Sequence, residues 1–189
     1  MPPHQPPPWI QVAKDLILPE LARFARFRKI PPDLIGFDRF LAAPKTESLA
    51  NAVMKEAVTI IVIRKGHAFL APRLKVSDNF GKLGFPGGKR EQSDADAPEA
   101  AARELAEEMG LSVAPGDLRY IGQSEFRSQD FGHYRTMAYV LRLPDGVLPR
   151  HSEPEKHGPW IPIPIPAIQD MPDEQLLPGT KEFLKAAVA

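Results

Sequence analysis

The stretch Gly87–Leu111, GGKREQSDADAPEAAARELAEEMGL, decides how this chain is read. It presents a tight glycine turn, a short acidic loop and one helix. Asp96 is placed to cap that helix, and Glu99, three residues on, completes a capping box. Pro98 falls in the first turn, where a missing N–H does little harm. Gly110 closes the helix as the left-handed residue beyond its last turn. At 100° per residue, Glu104, Glu107 and Glu108 project from one face. Ala101, Ala102, Leu105 and Met109 fall on a neighbouring face fit to pack on a core. Glu104 and Glu108 repel each other on a bare helix. A hard divalent cation among the three carboxylates accounts for the cluster, and Mg²⁺ suits oxygen ligands while keeping room for waters and phosphates. Arg103, four residues before Glu107, can hold a carboxylate in one orientation.

An acidic helix face alone is more often solvated surface than site. The wider pattern changes that. Phe85-Pro86-Gly87-Gly88 leads in, and Gly88, Arg103, Glu104, Leu105, Glu107, Glu108, Gly110 and Leu111 follow at set positions. Together they resemble the Nudix box, G-x5-E-x7-R-E-U-x-E-E-x-G-U, where U is aliphatic. There are two departures. Asp94 fills the early glutamate position, and eight residues rather than seven separate it from Arg103. The extra residue falls before the cap and leaves the helix untouched. The looser spacing is similar to that of the coenzyme A pyrophosphatase branch.

The resemblance implies an α/β (α+β) domain, an α/β/α sandwich with a mixed sheet. It implies hydrolysis of a pyrophosphate bond in a nucleoside diphosphate linked to another moiety. On the family's pattern, Glu107 and Glu108 are the principal metal ligands. Glu104 is a further ligand or orients the attacking water. The Gly88 carbonyl completes the coordination, Arg103 supports a glutamate, and Asp94 braces the loop. The cofactor implied is Mg²⁺ or Mn²⁺. The general base stays open between a box glutamate and one from a late loop before an aromatic strand. Glu153 and Glu155, ahead of Trp160, are the late-loop candidates, and Glu125 is a weaker one. Arg73 and Lys82 flank the loop before the glycine turn and could meet substrate phosphates. Arg135 sits among aromatics where a base could stack. Nucleoside triphosphates are narrowly favoured as substrate. ADP-ribose, sugar nucleotides and coenzyme A are the alternatives, and a non-catalytic nucleotide-binding module is the reading from another class.

The rest of the chain frames this stretch. Residues 1–50 read as a proline-rich and helical N-terminal extension, and residues 51–189 as the Nudix domain. Trp9 to Phe27 carry apolar residues at near-helical spacing, interrupted by Pro19. The basic face of this arm favours packing on its own domain or on a dimer mate over a membrane, so a homodimer through the extension is an expectation. Ala57–Ile63 is β-branched and almost wholly apolar, a buried central strand. Lys65-Gly66-His67 turns the chain, and Ala68–Ala71 returns as a second strand. Asp117–Ser124 and Tyr134–Leu143 can pair through the loop Arg127–His133. Trp160–Ile163 follows a charged, proline-rich loop, and Thr180–Val188 is an amphipathic helix with Phe183, Leu184 and Ala187 inward.

The 189 residues suit one domain with an added arm. Lysine plus arginine equals aspartate plus glutamate at 24 each, so no global charge favours nucleic acid or membrane. The chain has no cysteine, which excludes disulfides and thiolate metal sites and fits a reducing, cytoplasmic setting. No apolar run reaches the length of a membrane span, and the N-terminus has no secretory signal pattern. The five histidines show no metal-binding spacing, and His151 and His157 read as loop residues. No nucleophile elbow or Walker loop occurs.

Overall fold

The computed structural model describes residues 54–74, 79–128 and 132–189. The expected N-terminal extension lies outside the described residues, as do the dimer assigned to it and parts of the loops before Asn79 and Gly132. The described strands and helices all belong to the compact unit Ala52–Ala189.

Six strands form a mixed sheet: β1 Lys55–Arg64, β2 His67–Pro72, β3 Leu83–Gly84, β4 Arg119–Ser128, β5 Gly132–Arg142 and β6 Ile161–Pro164. The order is β3-β2-β1-β5-β4, with β6 against β2. β1 runs parallel to β5 over nine residue pairs, Lys55↔Tyr134 to Ile63↔Arg142. The remaining pairings are antiparallel. The β4–β5 ladder closes at Ser128↔Gly132, so the hairpin reaches further than the expected strand ends at Ser124 and Tyr134.

The apolar run in β1 follows from burial on both faces. Val58, Ile60 and Val62 point to the helix α1, Ala97–Met109, and join its Ala101, Leu105 and Met109 in one core with Tyr139 and Leu141. The alternate residues Ile61 and Ile63 face the other side and are also buried. There a closing helix, α3 Thr180–Val188, contacts β1, β4 and β5 through its buried Phe183, Leu184 and Ala187. Helices on both faces of a mixed sheet make the α/β/α sandwich. Each fully buried Ile or Leu contributes about 1.5–3 kcal/mol.

A short helix, α2 Ile165–Asp170, follows β6 directly. Pro166 occupies the first turn of α2, where its fixed φ suits the helix. The α1 cap forms as expected: Asp96 Oδ1 accepts the Glu99 N–H at 2.9 Å. The reciprocal bond is displaced by one residue, since Glu99 Oε2 takes the N–H of Ala95 at 2.8 Å. Gly110 has φ 61°, with its N–H on Ala106 O and the N–H of Leu111 on Leu105 O.

Candidate active site

β1 meets β2 only at its end, at Ile63 and Arg64. The N–H groups of Val58 and Ile60 are satisfied instead by the glycine turn, through Gly88 O at 2.8 Å and Pro86 O at 2.9 Å. Gly87, at φ 147°, lies so close to β1 that a Cβ would collide with the Val58 carbonyl. A Cβ on Gly88 would collide with the Glu104 carboxylate. The glycine pair therefore brings backbone flush against both the sheet and the acidic helix.

The three box glutamates do not share one environment. Glu104 and Glu108 are 6% and 2% exposed, whereas the Glu107 side chain is 44% exposed. Helical spacing gave them a common face, and the turn packed on that face covers two and leaves Glu107 at the rim. Glu108 Oε2 accepts the Gly87 N–H at 2.9 Å, and its other oxygen is 3.8 Å from Arg73 Nη1. Burial pushes its carboxyl up to about 7, against the pull of Arg73 and the Gly87 N–H. Burial also raises Glu104, opposed by Arg103.

Arg103 ties the motif together. Its Nε and Nη2 form a fork on Asp94 at 3.0 and 3.1 Å, Nη2 also reaches Lys89 O, and Nη1 bonds Glu104 and Glu107 at 3.0 Å each. The fork is the main cause holding the Asp94 carboxyl below its usual value. Asp94 also accepts the Glu91 N–H at 2.8 Å, so this shorter acid ties the lengthened loop to the helix.

The late loop docks on the end of β2. Leu74 N–H bonds Lys156 O, Gly158 N–H bonds Pro72 O, and Arg73 bridges His157. Trp160 Nε1 donates to the backbone carbonyl of Glu108 at 3.1 Å. This brings Glu153 and His157 to Glu108, with one ligand-capable atom from each within 4.8 Å of the others. Glu153 Oε1 pairs with Lys156 Nζ at 2.6 Å. Glu155 is exposed and stays outside that cluster. His157 is a buried member of the group rather than a plain loop residue. The signal for it was the Glu153–His157 spacing of four, which a single turn closed by the His157 N–H on Glu153 O converts into proximity.

Glu104, Glu108, Gly87, Gly88, Arg73 and Lys156 line one part of a cleft of about 640 Å³, within the usual range for small-ligand sites. Val58, Phe85, Phe126, Tyr134, Leu177 and Phe183 give it apolar walls. Lys82 and Arg135 do not line it. Arg135 instead pairs with Glu125 at 3.4 Å, beside the His133–Glu125 contact at 3.1 Å. A second recess, of about 570 Å³, lies among Leu111, Arg119, Leu141 and Arg142. Its two arginines are both bonded to Ala187 O, and it holds no box carboxylate.

The family model for the NUDIX domain matches residues 53–184. The chain belongs to the NUDIX domain family. The structure of a MutT NUDIX hydrolase from Burkholderia pseudomallei is 22% identical, with a TM-score of 0.60, over 73% of this chain and 100% of that one. The NUDIX domain of Shewanella oneidensis NrtR, complexed with ADP ribose, is 16% identical at TM-score 0.61, over 76% and 92%. The E. coli ORF135 protein is 27% identical at TM-score 0.54, over 70% and 87%. No curated protein sequence matches the chain. As a Nudix hydrolase, it belongs to enzymes whose general reaction is hydrolysis of the pyrophosphate linkage in nucleoside diphosphate derivatives, generally with a divalent metal. Among the described residues no helix is long and apolar enough to cross a membrane.

Proposed function

We propose that this Nudix hydrolase is a Mg²⁺- or Mn²⁺-dependent nucleotide pyrophosphohydrolase, with nucleoside triphosphates favoured over ADP-ribose, sugar nucleotides and coenzyme A. The observation that carries the reading is the pair of buried carboxylates, Glu104 and Glu108, set against Gly88 in the cleft. Two buried acids with raised values fit a cation, which removes the cost of their charge. Glu104, Glu107, Glu108 and the Gly88 carbonyl would hold it. That carbonyl spends one lone pair on the Val58 N–H and keeps a second. A bound cation would neutralise pyrophosphate charge and lower the pKa of a water.

The chain's own groups supply the rest. Arg103 fixes Glu104 and Glu107 through one nitrogen while anchored on Asp94. Arg73 and Lys156, on the same part of the cleft as the carboxylates, are the cations placed for substrate phosphates. Lys82 and Arg135, outside the lining, have no phosphate role in this reading. Of the two late-loop candidates, Glu153 is the one that reaches the box, and Glu155 does not. Phe126 and Tyr134 offer ring faces to a base at the apolar side.

A panel of nucleoside triphosphates, ADP-ribose, sugar nucleotides, coenzyme A and dinucleoside polyphosphates tests this, with Mg²⁺ or Mn²⁺ at pH 8. One class should turn over in a cation-dependent way, and Glu104→Gln should lose most of that turnover while staying folded. Silence across the panel from folded, metal-loaded protein would sink the proposal and favour a non-catalytic binding module.

A further inference from the structure

The two late-loop residues clustered with Glu108 each carry a buried polar atom with no hydrogen-bond partner: Glu153 Oε2 and His157 Nε2. Buried acceptors of this kind call for a donor or a cation. His157 is 1% exposed, so it cannot turn to solvent for one. Its Nδ1 lies 2.8 Å from Gly158 O. A carbonyl only accepts, so Nδ1 carries the proton and Nε2 presents a lone pair. A backbone bond that fixes the tautomer and ring angle is the usual support behind a metal-bound imidazole. The ring is further held by Trp160 and His151, at centroid distances of 4.5 and 5.2 Å.

We propose that Glu108, Glu153 and His157 form a mixed nitrogen–oxygen site for a later first-row divalent ion, beside the all-oxygen set of the box. The inference rests on the reading of Glu108 as a metal-binding carboxylate and adds two ligands from the late loop. One ligand-capable atom from each of the three residues lies within 4.8 Å of the others, close enough to converge on one ion. The neighbouring charges decide which ion. Lys156 already holds Glu153 Oε1, and Arg73 stands 3.8 Å from Glu108. With two cations beside two carboxylates, simple charge attraction is weak and the imidazole contributes much of the selectivity. Mg²⁺ gains little from a nitrogen ligand, whereas imidazole suits the later ions and affinity rises from Mn²⁺ through Co²⁺.

Pulsed EPR of Mn²⁺ bound to the untagged, full-length protein tests this without any variant. A ¹⁴N coupling is expected that is replaced by a ¹⁵N coupling when the histidines are ¹⁵N-labelled. Calorimetric titration with Co²⁺ should show His157→Gln weakening binding at least about tenfold, with a much smaller change for Mg²⁺. If that variant does not fold, the wild-type spectrum still decides. Bound Mn²⁺ with no nitrogen coupling, or no Mn²⁺ binding at all, overturns the site and leaves a buried water as the partner of these atoms. Glu107→Gln, outside the cluster, separates this from the proposed activity. Its turnover should fall while the nitrogen coupling persists. A nitrogen coupling in a protein silent on the nucleotide panel would uphold this site and defeat the proposed reaction.

Discussion

Replacing Glu108 with Gln should make the metal-free protein more stable and less active. Burial drives the Glu108 carboxyl from 4.5 up to about 7, only partly offset by Arg73 and the Gly87 N–H, with Glu104 and Glu153 adding to the rise. A folded-state value above the unfolded one means that the native state binds the proton more tightly. Stability from this group is therefore full below about pH 4.5 and is lost as pH rises through about 7. At about 1.4 kcal/mol per pH unit, the ionised group costs about 3 kcal/mol at pH 8. Glutamine removes the charge and keeps an acceptor for the Gly87 N–H. In EDTA at pH 8, E108Q should exceed wild type by about 3 kcal/mol, or ~6–12 °C in Tm. The two should converge near pH 5. Urea or thermal unfolding from pH 5 to 9 measures this. Saturating Mn²⁺ should narrow the gap, because the ion stabilises the wild type more than the variant. A difference independent of pH, or a less stable variant at pH 8, would refute the assignment of Glu108 as a charge held at a cost in stability.

The two glycines of the turn should separate fold from function. Gly87→Ala, at positive φ and against the Val58 carbonyl, should destabilise by roughly 2–4 kcal/mol in urea. Gly88→Ala meets first the Glu104 carboxylate, a side-chain end rather than backbone, so turnover should fall more than stability. Arg103→Lys loses the fork on Asp94 and should cost roughly 1.5–3 kcal/mol at neutral pH. Because the fork holds Asp94 low, that cost should shrink as pH falls through the Asp94 titration, which unfolding midpoints from pH 3 to 7 would show. Phe126→Leu should raise KM about two- to tenfold with kcat little changed if the ring stacks on a base. A fall in kcat alone would remove that role.

The parts of the fold written locally were legible. The Asp96 cap, the Gly110 end and the apolar β1 each depend on neighbours in sequence, and each formed where the residues placed it. The Glu99 bond moved by one residue, to the N–H of Ala95. The candidate site was legible as a motif but not as an environment. Periodicity puts Glu104, Glu107 and Glu108 on one face, yet only the docked glycine turn decides that Glu107 remains in water. His157 was read as a loop residue because its partner Glu108 lies far away in sequence, and the contact exists only once β2 takes up the late loop. Arg135 drew attention for its aromatic neighbours, but the antiparallel register sets it opposite Glu125.

The parallel pairing of β1 with β5 has a consequence for the order in which the molecule becomes itself. Between Lys55 and its partner Tyr134 lie the glycine turn, α1 and β4, so this ladder closes only after all of them exist. A chain leaving the ribosome has every box carboxylate by Leu111, while the strand beside β1 and the indole that grips the Glu108 carbonyl are still unmade. A product cut short before the late loop would carry the whole motif and lack Glu153 and His157, which gather on Glu108. The chemistry is spelled out early in the chain and acquired at its end.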